Sequence, residues 1–293
     1  MKIAADIIDP VQRFAAKPWL DISAADLACA DHVPTMLARE EAQLYYWLTR
    51  DYLQGRGAVA DLGAFVGGST ARLAAGALAA GRSDPLIHAY DRFTADQNVK
   101  DRILYAGGVE PFDGRDIFLL SHRLLTPFKP LVTLHPGEFL EQSWTGDKIE
   151  VLVVDIAKTA ATADHVAAEF FPHLIAGHSI VVHQDFLHRV QPWLPAQMAL
   201  LRHYFTPVAR VARHCVAFLC TAVPPPEVLA MTRTAPLDDA QLARLVRMAA
   251  GRYQRLANRY WFASMVRTIN DNPDIRAAWR MKQRAALPAQ PPA

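Results

Sequence analysis

Cysteine, surplus charge and long apolar runs are all scarce in this 293-residue chain. Its three cysteines, Cys29, Cys215 and Cys220, supply no disulfide framework, so the sequence predicts a reducing, cytoplasmic location. No uncharged stretch approaches the ~20 apolar residues that cross a bilayer, and Asp6 and Asp9 lie near the N-terminus, so we expect neither a membrane span nor a secretory signal. A formal net charge of +2 indicates neither a nucleic-acid partner nor an acidic substrate by itself.

The segment 59–70 carries the most information, because it is typical of a strand, a glycine turn and a helix start. A short apolar run reaches Asp61, and Gly63, Gly67 and Gly68 supply a turn that can come close to a ligand. Ser69 is a suitable N-cap for the alanine-rich segment that follows. Such a turn directs free N–H groups and a helix dipole at a negative group above it.

Three kinds of ligand could use this turn. In the dinucleotide pattern G-x-G-x-x-G, Phe65 stands where the middle glycine lets a pyrophosphate approach the backbone. In the phosphate loop G-x-x-x-x-G-K-[ST], Ser69 replaces the lysine that holds the phosphates. An amino-acid nucleoside needs neither device, and its carboxylate suits a helix start. The residues therefore favour this third ligand over NAD and ATP.

The segment Asp61-Leu-Gly-Ala-Phe-Val-Gly-Gly-Ser69 resembles the first motif of class I S-adenosylmethionine-dependent methyltransferases, especially the catechol O-methyltransferase-like branch. Four later segments resemble the second to fifth strands of that fold in the same order, and the stretch from Asp155 to Phe186 is also similar to macrocin-type sugar O-methyltransferases. These four segments are 86–91, 132–137, 149–155 and 177–185. The resemblance covers residues 55–220 or so and implies a Rossmann-like, doubly wound α/β fold with a mostly parallel, seven-stranded sheet.

The resemblance also implies a set of residues that bind the methyl donor. Asp91, at the end of the second strand, would accept hydrogen bonds from both ribose hydroxyls, although it could instead be a turn residue. Asp61 would face the donor's ammonium group, and Glu138 and Phe139 would contact adenine. The turn itself would hold the donor's carboxylate through Ser69 and nearby backbone N–H groups, and its predicted contributors are Gly63, Phe65, Gly67, Gly68 and Ser69.

The catalytic residues implied by the resemblance lie after the fourth strand. Catechol-type enzymes carry D-x-x-K there, with the acid on a divalent cation and the lysine as the base; Asp155-Ile-Ala-Lys158 has this spacing. A hydroxyl bound to a metal ion has a lowered pKa, so a nearby lysine could remove its proton. The alternative is that Asp155 caps a helix and Lys158 points to water.

A third group follows the fifth strand, at His183-Gln-Asp185. Catechol-type enzymes have an Asp-Asn pair there, which this chain lacks. Asp185, together with His183 or Gln184, could complete an oxygen-rich site for Mg²⁺ or Mn²⁺ with Asp155. Alternatively, His183 could be the general base without any metal, with His188 as a second candidate.

The chain divides into three predicted regions. Residues 1–54 form an irregular segment and a helix over 35–53, and residues 55–225 form the donor-binding domain. An insertion at 93–130 is long enough to carry its own structure or to cover the site as a lid. The sheet is predicted to end in an antiparallel pair, 208–211 and 215–221. Residues 226–293 form a helical extension, with one long helix over 237–269 and a frayed tail.

The predicted activity is O-methylation of a small-molecule hydroxyl, on a sugar or a secondary metabolite. Two alternatives are an enzyme that uses the same donor for another reaction and a non-catalytic partner subunit. The extension at 226–293 holds eleven Lys and Arg against five Asp and Glu, yet without a recognition motif this favours the solvated side of a packing helix over nucleic-acid binding. The terminal additions could also support a homo-oligomer.

Overall fold

The computed structural model describes residues 9–282 and contains a single seven-stranded sheet. The strands are β1 (Ala58–Leu62), β2 (Ile87–Asp91), β3 (Val132–Pro136), β4 (Ile149–Val154), β5 (Ile180–His183), β6 (Phe205–Arg210) and β7 (Val216–Cys220). Their order is β3-β2-β1-β4-β5-β7-β6, with parallel pairing from β3 to β5 and antiparallel pairing of β7 with both β5 and β6. This confirms the predicted doubly wound, mostly parallel sheet and its antiparallel end.

Helices precede, connect and follow the strands. They are α1 (Pro10–Ala15), α2 (Ala24–Leu27), α3 (Arg39–Trp47), α4 (Gly68–Ala79), α5 (Gln97–Val99), α6 (Phe118–Leu124), α7 (Ala160–Phe170), α8 (Trp193–Leu200), α9 (Pro226–Met231), α10 (Asp239–Arg252) and α11 (Arg259–Asp271). Within the described range, none of them is both long and apolar enough to span a membrane.

The sheet has a separate apolar core on each face, because successive side chains of a strand point to opposite sides. On β1, Val59 packs in the core shared with α3 and α4, whereas Ala60 and Leu62 pack in the core shared with α7, α8, α10 and α11. Residues 9–33, predicted to be irregular, form short helices anchored by Phe14 and Trp19, whose rings contact Trp47 of α3. The N-terminal addition is therefore part of the first core.

Two predicted helix bounds were wrong. The helix predicted over 35–53 begins at Arg39 and continues after Trp47 as one wider turn, Leu48–Tyr52. The helix predicted over 237–269 is two helices, because the chain leaves α10 at Tyr253 and the Asn258 side chain caps α11 by accepting from the Tyr260 amide. The predicted frayed tail, residues 288–293, lies outside the described residues.

The insertion 93–130 carries its own structure, with α5, a wider turn at Lys100–Tyr105, and α6. It packs against the glycine turn between β1 and α4. The Ser121 hydroxyl donates to the Phe65 carbonyl at 3.4 Å, and an added Cβ on Gly67 would lie 2.7 Å from the Leu125 side chain. The insertion thus lies beside the predicted donor site.

Candidate active site

The turn after β1 requires unusual backbone conformations. Gly63 and Gly67 have φ angles of +99° and +101°, and Phe65 has +52°. Glycine adopts positive φ without steric cost, whereas a side chain such as that of Phe65 pays for it. An added Cβ on Gly63 would also come within 2.9 Å of the Asp155 carbonyl carbon, so the turn lies directly against the chain that leaves β4. Because β1 and β4 flank the point where the strand order reverses, ligands of such sheets bind at this position.

The predicted N-cap at Ser69 was wrong. Helix α4 begins at Gly68, and Gly67 in the left-handed conformation takes the N-cap position. Ser69 lies inside the first helical turn, and its hydroxyl donates to Asp61 Oδ2 at 2.8 Å. Its proton is therefore committed to the protein and is not directed at a donor carboxylate.

Asp61 is a fully buried carboxylate with one satisfied oxygen. Oδ2 accepts hydrogen bonds from Ser69 and Thr70, while Oδ1 has no partner among the described residues. Burial raises the pKa of Asp61 to about 6, although the two hydroxyls lower it, and the nearby Asp155 and Asp91 raise it further. An unpartnered buried carboxylate oxygen is costly, and a cationic ligand would remove that cost.

Asp91, at the end of β2, connects two loops of the site. Its Oδ2 accepts from the Phe65 amide at 2.9 Å and its Oδ1 from the Phe93 amide at 2.7 Å. Burial raises the pKa of this carboxyl, partly offset by these amides. Each carboxylate oxygen keeps lone-pair capacity, so the side chain can fix the glycine turn and still accept from a diol.

The two residues predicted to contact adenine lie in different surroundings. Glu138 is mostly exposed and pairs with Arg92 at 3.8 Å. The Phe139 ring is buried in the second core, stacked on Phe170 and edge-on to His165. The contacts of Phe139 are those of a core residue, and its predicted role at adenine stays a prediction.

Lys158 links the two acids that follow β4 and β5. Its Nζ donates to Asp155 Oδ1 at 2.6 Å and also to Asp185 Oδ2, which in turn accepts from Gln191 Nε2 at 2.5 Å. All three charged side chains are partly exposed. Burial acts to lower the pKa of Lys158, but the attraction of the two carboxylates outweighs burial and raises this pKa. This arrangement opposes the predicted role of Lys158 as a base, since its ammonium holds its protons more tightly than usual.

His183 does not join this group. Its side chain is buried against Phe186 and Phe218, and neither ring nitrogen has a partner among the described residues. Burial lowers the pKa of His183 to about 4, so the ring is neutral at pH 7. Residues 9–282 contain no group of three or more His, Cys, Asp or Glu that could hold a metal ion. The predicted metal ligands Asp155, Asp185 and His183 are thus not assembled into one site.

Helix α3 brings two further residues to the site that the sequence analysis missed. The Tyr45 hydroxyl donates to Gln184 Oε1 at 2.8 Å, directly after β5. One turn earlier, Glu41 is only 1% exposed; its Oε2 accepts from the Ala38 amide, whereas Oε1 has no partner within the described part of the chain. Burial raises the pKa of Glu41, whereas the Ala38 amide, the nearby Gln184 side chain and the charge of Arg213 act to lower it. One feature of the sequence could have identified Glu41: its position between Leu37 and Leu44 puts it on the apolar side of the helix.

The C-terminal ends of β1, β2, β4 and β5, which we call the carboxyl edge, therefore collect negative charge. Asp155 and Asp91 raise the pKa of Asp61, and Asp185 and Asp91 raise the pKa of Asp155. Lys158 neutralises part of this charge through direct contact with two of the acids. Such a site favours a cationic ligand and repels a polyphosphate.

A separate surface cavity of about 490 Å³ lies between α7 and α9. It is lined by apolar side chains together with Asp164, His165 and Arg233. The Asp164 carboxylate is already occupied by hydrogen bonds from the amides of Thr234 and Ala235. Since none of the carboxyl-edge acids lines this cavity, its size does not make it the site of the chemistry.

Comparisons with known proteins find likenesses at the level of structure. The O-methyltransferase NovP aligns with 64% of this chain and 82% of its own, at 16% identity and a TM-score of 0.46. An SAH-bound methyltransferase of Podospora anserina, PaMTH1, aligns with 87% of this chain and 90% of its own, at 12% identity and a TM-score of 0.40. A methyltransferase from Geobacter sulfurreducens aligns with 73% and 89%, at 15% identity and a TM-score of 0.39.

No family model and no curated protein sequence matches the chain. With TM-scores below 0.5, the structural likenesses do not establish a common function. The fold assignment therefore depends on the strand order of the chain itself.

Proposed function

We propose that this protein is an S-adenosylmethionine-dependent methyltransferase that methylates a hydroxyl group of a small molecule. The observation that carries the proposal is the unpartnered Oδ1 of Asp61, buried beside the glycine turn at the point where the strand order reverses. The donor's ammonium and sulfonium groups are both cationic, and the surrounding acids favour such charges. The donor's ribose fits Asp91, because a diol can donate to the two oxygens of one carboxylate.

The donor, when bound, supplies an electrophilic methyl group. The acceptor oxygen forms a C–O bond with this methyl group while the C–S bond of the donor breaks. The electron pair of the C–S bond stays on sulfur. The chain's own residues hold the two partners in line, which can provide much of the acceleration. Asp61 and Asp91 position the donor over β1 and β2. Asp155, Lys158 and Asp185 lie over β4 and β5 and are partly exposed, so they are placed to bind the acceptor hydroxyl.

A proton must leave the acceptor oxygen during this reaction. Lys158 is a poor recipient because two carboxylates stabilise its charged form, and His183 is enclosed by aromatic rings. The Asp155 carboxylate is accessible and close to the ammonium that would contact the same oxygen. We therefore assign Asp155 as the proton acceptor and Lys158 as the group that stabilises the developing negative charge.

Asp91→Ala tests the donor site. Losing two hydrogen bonds from ribose to a charged group should weaken donor binding by at least about 100-fold. Calorimetric titration with S-adenosylmethionine and its demethylated product measures this loss. Asp84→Ala is the matched control, since this exposed acid lies before β2, at the end of the strand opposite to Asp91. Unchanged donor affinity in Asp91→Ala would contradict the ribose assignment, and absence of binding to the wild type would refute the proposed function.

A further inference from the structure

The contacts of Asp155 and Asp185 differ from those of a divalent metal site. In the family that the sequence resembles, carboxylates at this position hold a divalent cation. Here both carboxylates accept hydrogen bonds from one lysine, with 2.6 Å between Lys158 Nζ and Asp155 Oδ1. The residue after Asp185 is Phe186, which is fully buried and offers no ligand atom.

We propose that the Lys158 ammonium occupies the position between Asp155 and Asp185 that a divalent cation would otherwise fill, so that the acceptor site works with a cation built into the chain. The contacts of Lys158 are the evidence for the position of this cation. Its use in binding an acceptor hydroxyl rests on the proposed methyltransferase function.

The first support is that one oxygen of each carboxylate is already engaged by the chain's own donors. Asp185 Oδ2 accepts from both Lys158 Nζ and Gln191 Nε2, the latter at 2.5 Å, and Gln191 is itself only 3% exposed. A metal ion placed between the acids would have to displace Lys158 or lie in contact with its positive charge, which Coulomb repulsion opposes. The position between the two acids is thus already taken by the Lys158 ammonium.

The second support is the anchoring of the Lys158 backbone. The C-terminal extension crosses this loop: the Lys158 carbonyl accepts from the Ala278 amide at 2.9 Å, and the Ala160 amide donates to the Arg276 carbonyl at 3.0 Å. Thr159 and Ala277 form an antiparallel bridge between these two contacts. Because the backbone is held from Lys158 to Ala160, the Lys158 side chain starts from a fixed position.

The third support is the remaining capacity of the ammonium group. A lysine ammonium has three N–H donors, and the two carboxylates use two of them. The Lys158 side chain is 39% exposed, so the third donor can reach a ligand. An acceptor oxygen bound there would contact a single positive charge, where a metal site would offer two.

Manganese binding, measured by electron paramagnetic resonance and calorimetry, tests the placement without any measurement of activity. Removing the ammonium in Lys158→Ala leaves two adjacent carboxylates and should strengthen Mn²⁺ binding by at least about tenfold over the wild type. The double variant Lys158→Ala/Asp185→Asn should lose this gain. Lys148→Ala, which removes an exposed lysine before the other end of β4, is the matched control and should bind Mn²⁺ as the wild type does.

Two results would overturn the proposal. One is a wild-type protein that binds one Mn²⁺ per chain and loses it in Asp185→Asn. The other is a folded Lys158→Ala variant, checked by circular dichroism, that binds Mn²⁺ no better than Lys148→Ala. If Lys158→Ala does not fold, Lys158→Met replaces it, because its unbranched chain keeps the apolar stem and removes the charge. Donor titration of the same variants reports separately on the proposed function, since neither acid lies at the donor residues Asp61 and Asp91.

Discussion

Two buried carboxylates on adjacent strands, Asp61 and Glu150, are both fully inaccessible to solvent but have opposite electrostatic properties. Asp61 is the penultimate residue of β1, at the carboxyl edge, where one of its oxygens lacks a partner among the described residues and burial raises its pKa to about 6. Glu150 lies near the N-terminal end of β4, away from the carboxyl edge. It accepts hydrogen bonds from His178 and from the backbone amides of Gln54, Arg56 and Gly57. Although burial acts to raise it, these bonds lower the pKa of Glu150.

The difference separates a carboxylate whose lone pairs are all engaged from one that has an unpartnered oxygen. A buried charge whose lone pairs are all used stabilises the chain segments that supply the donors. A buried charge with an open lone pair, among other acids, raises the energy of the folded protein until a cation binds. We therefore propose a role in ligand binding for Asp61, whereas Glu150 attaches residues 54–57 to the sheet.

Glu150→Ala should give the largest effect on stability. It removes the acceptor of three backbone amides and leaves His178 without its partner, so we expect a loss of about 3–5 kcal/mol in the free energy of unfolding. Urea denaturation measures this value. Asp84→Ala, at an exposed acid before β2, is the control and should change stability by no more than about 0.5 kcal/mol. If both substitutions changed stability equally, the hydrogen bonds of Glu150 would not stabilise the fold as we infer.

The sequence predicted the ends of the strands better than the contacts between them. Apolar runs that stop at an acid placed Asp61 and Asp91 at the carboxyl edge, because the two ends of parallel neighbouring strands meet there. The pairing of Lys158 with Asp185 could not be predicted, since it depends on the distance between two loops 27 residues apart. Glu41 was missed for a similar reason: a glutamate on a surface helix is normally solvated, and only the packing of α3 over the sheet buries it.

A smaller effect is expected for the pH dependence of donor binding. Asp61 has a raised pKa of about 6 in the folded protein, so it is a carboxylate above that pH and neutral below it. An ammonium group binds the carboxylate form, so donor affinity should fall by about tenfold for each pH unit below 6. Calorimetric titration between pH 5 and pH 8 measures this slope.

Asp61→Asn is the matched variant for this measurement, because it keeps an oxygen for Ser69 and Thr70 and cannot ionise. Its donor affinity should be weaker at pH 8 and nearly independent of pH. A wild-type affinity that is flat across pH 6 would show that Asp61 does not face the donor's cation.

The smallest effect should come from a substitution of Glu41 and should be an effect on thermal stability. Among the described residues, Glu41 is a second carboxylate near the carboxyl edge that has an unpartnered oxygen. Its folded-state pKa is raised by burial, so ionisation costs stability as the pH rises from the unfolded-state value near 4.5 through the folded-state value. Glu41→Gln removes that cost and should raise the melting temperature at pH 8 by about 2–4 °C, with little change at pH 4. Glu110→Gln, at an exposed glutamate of the insertion, should change it at neither pH. A lower melting temperature for Glu41→Gln at pH 8 would mean that the Glu41 carboxylate is already paired in the free protein, as Glu150 is, and that the contrast between the two ends of the sheet is confined to Asp61.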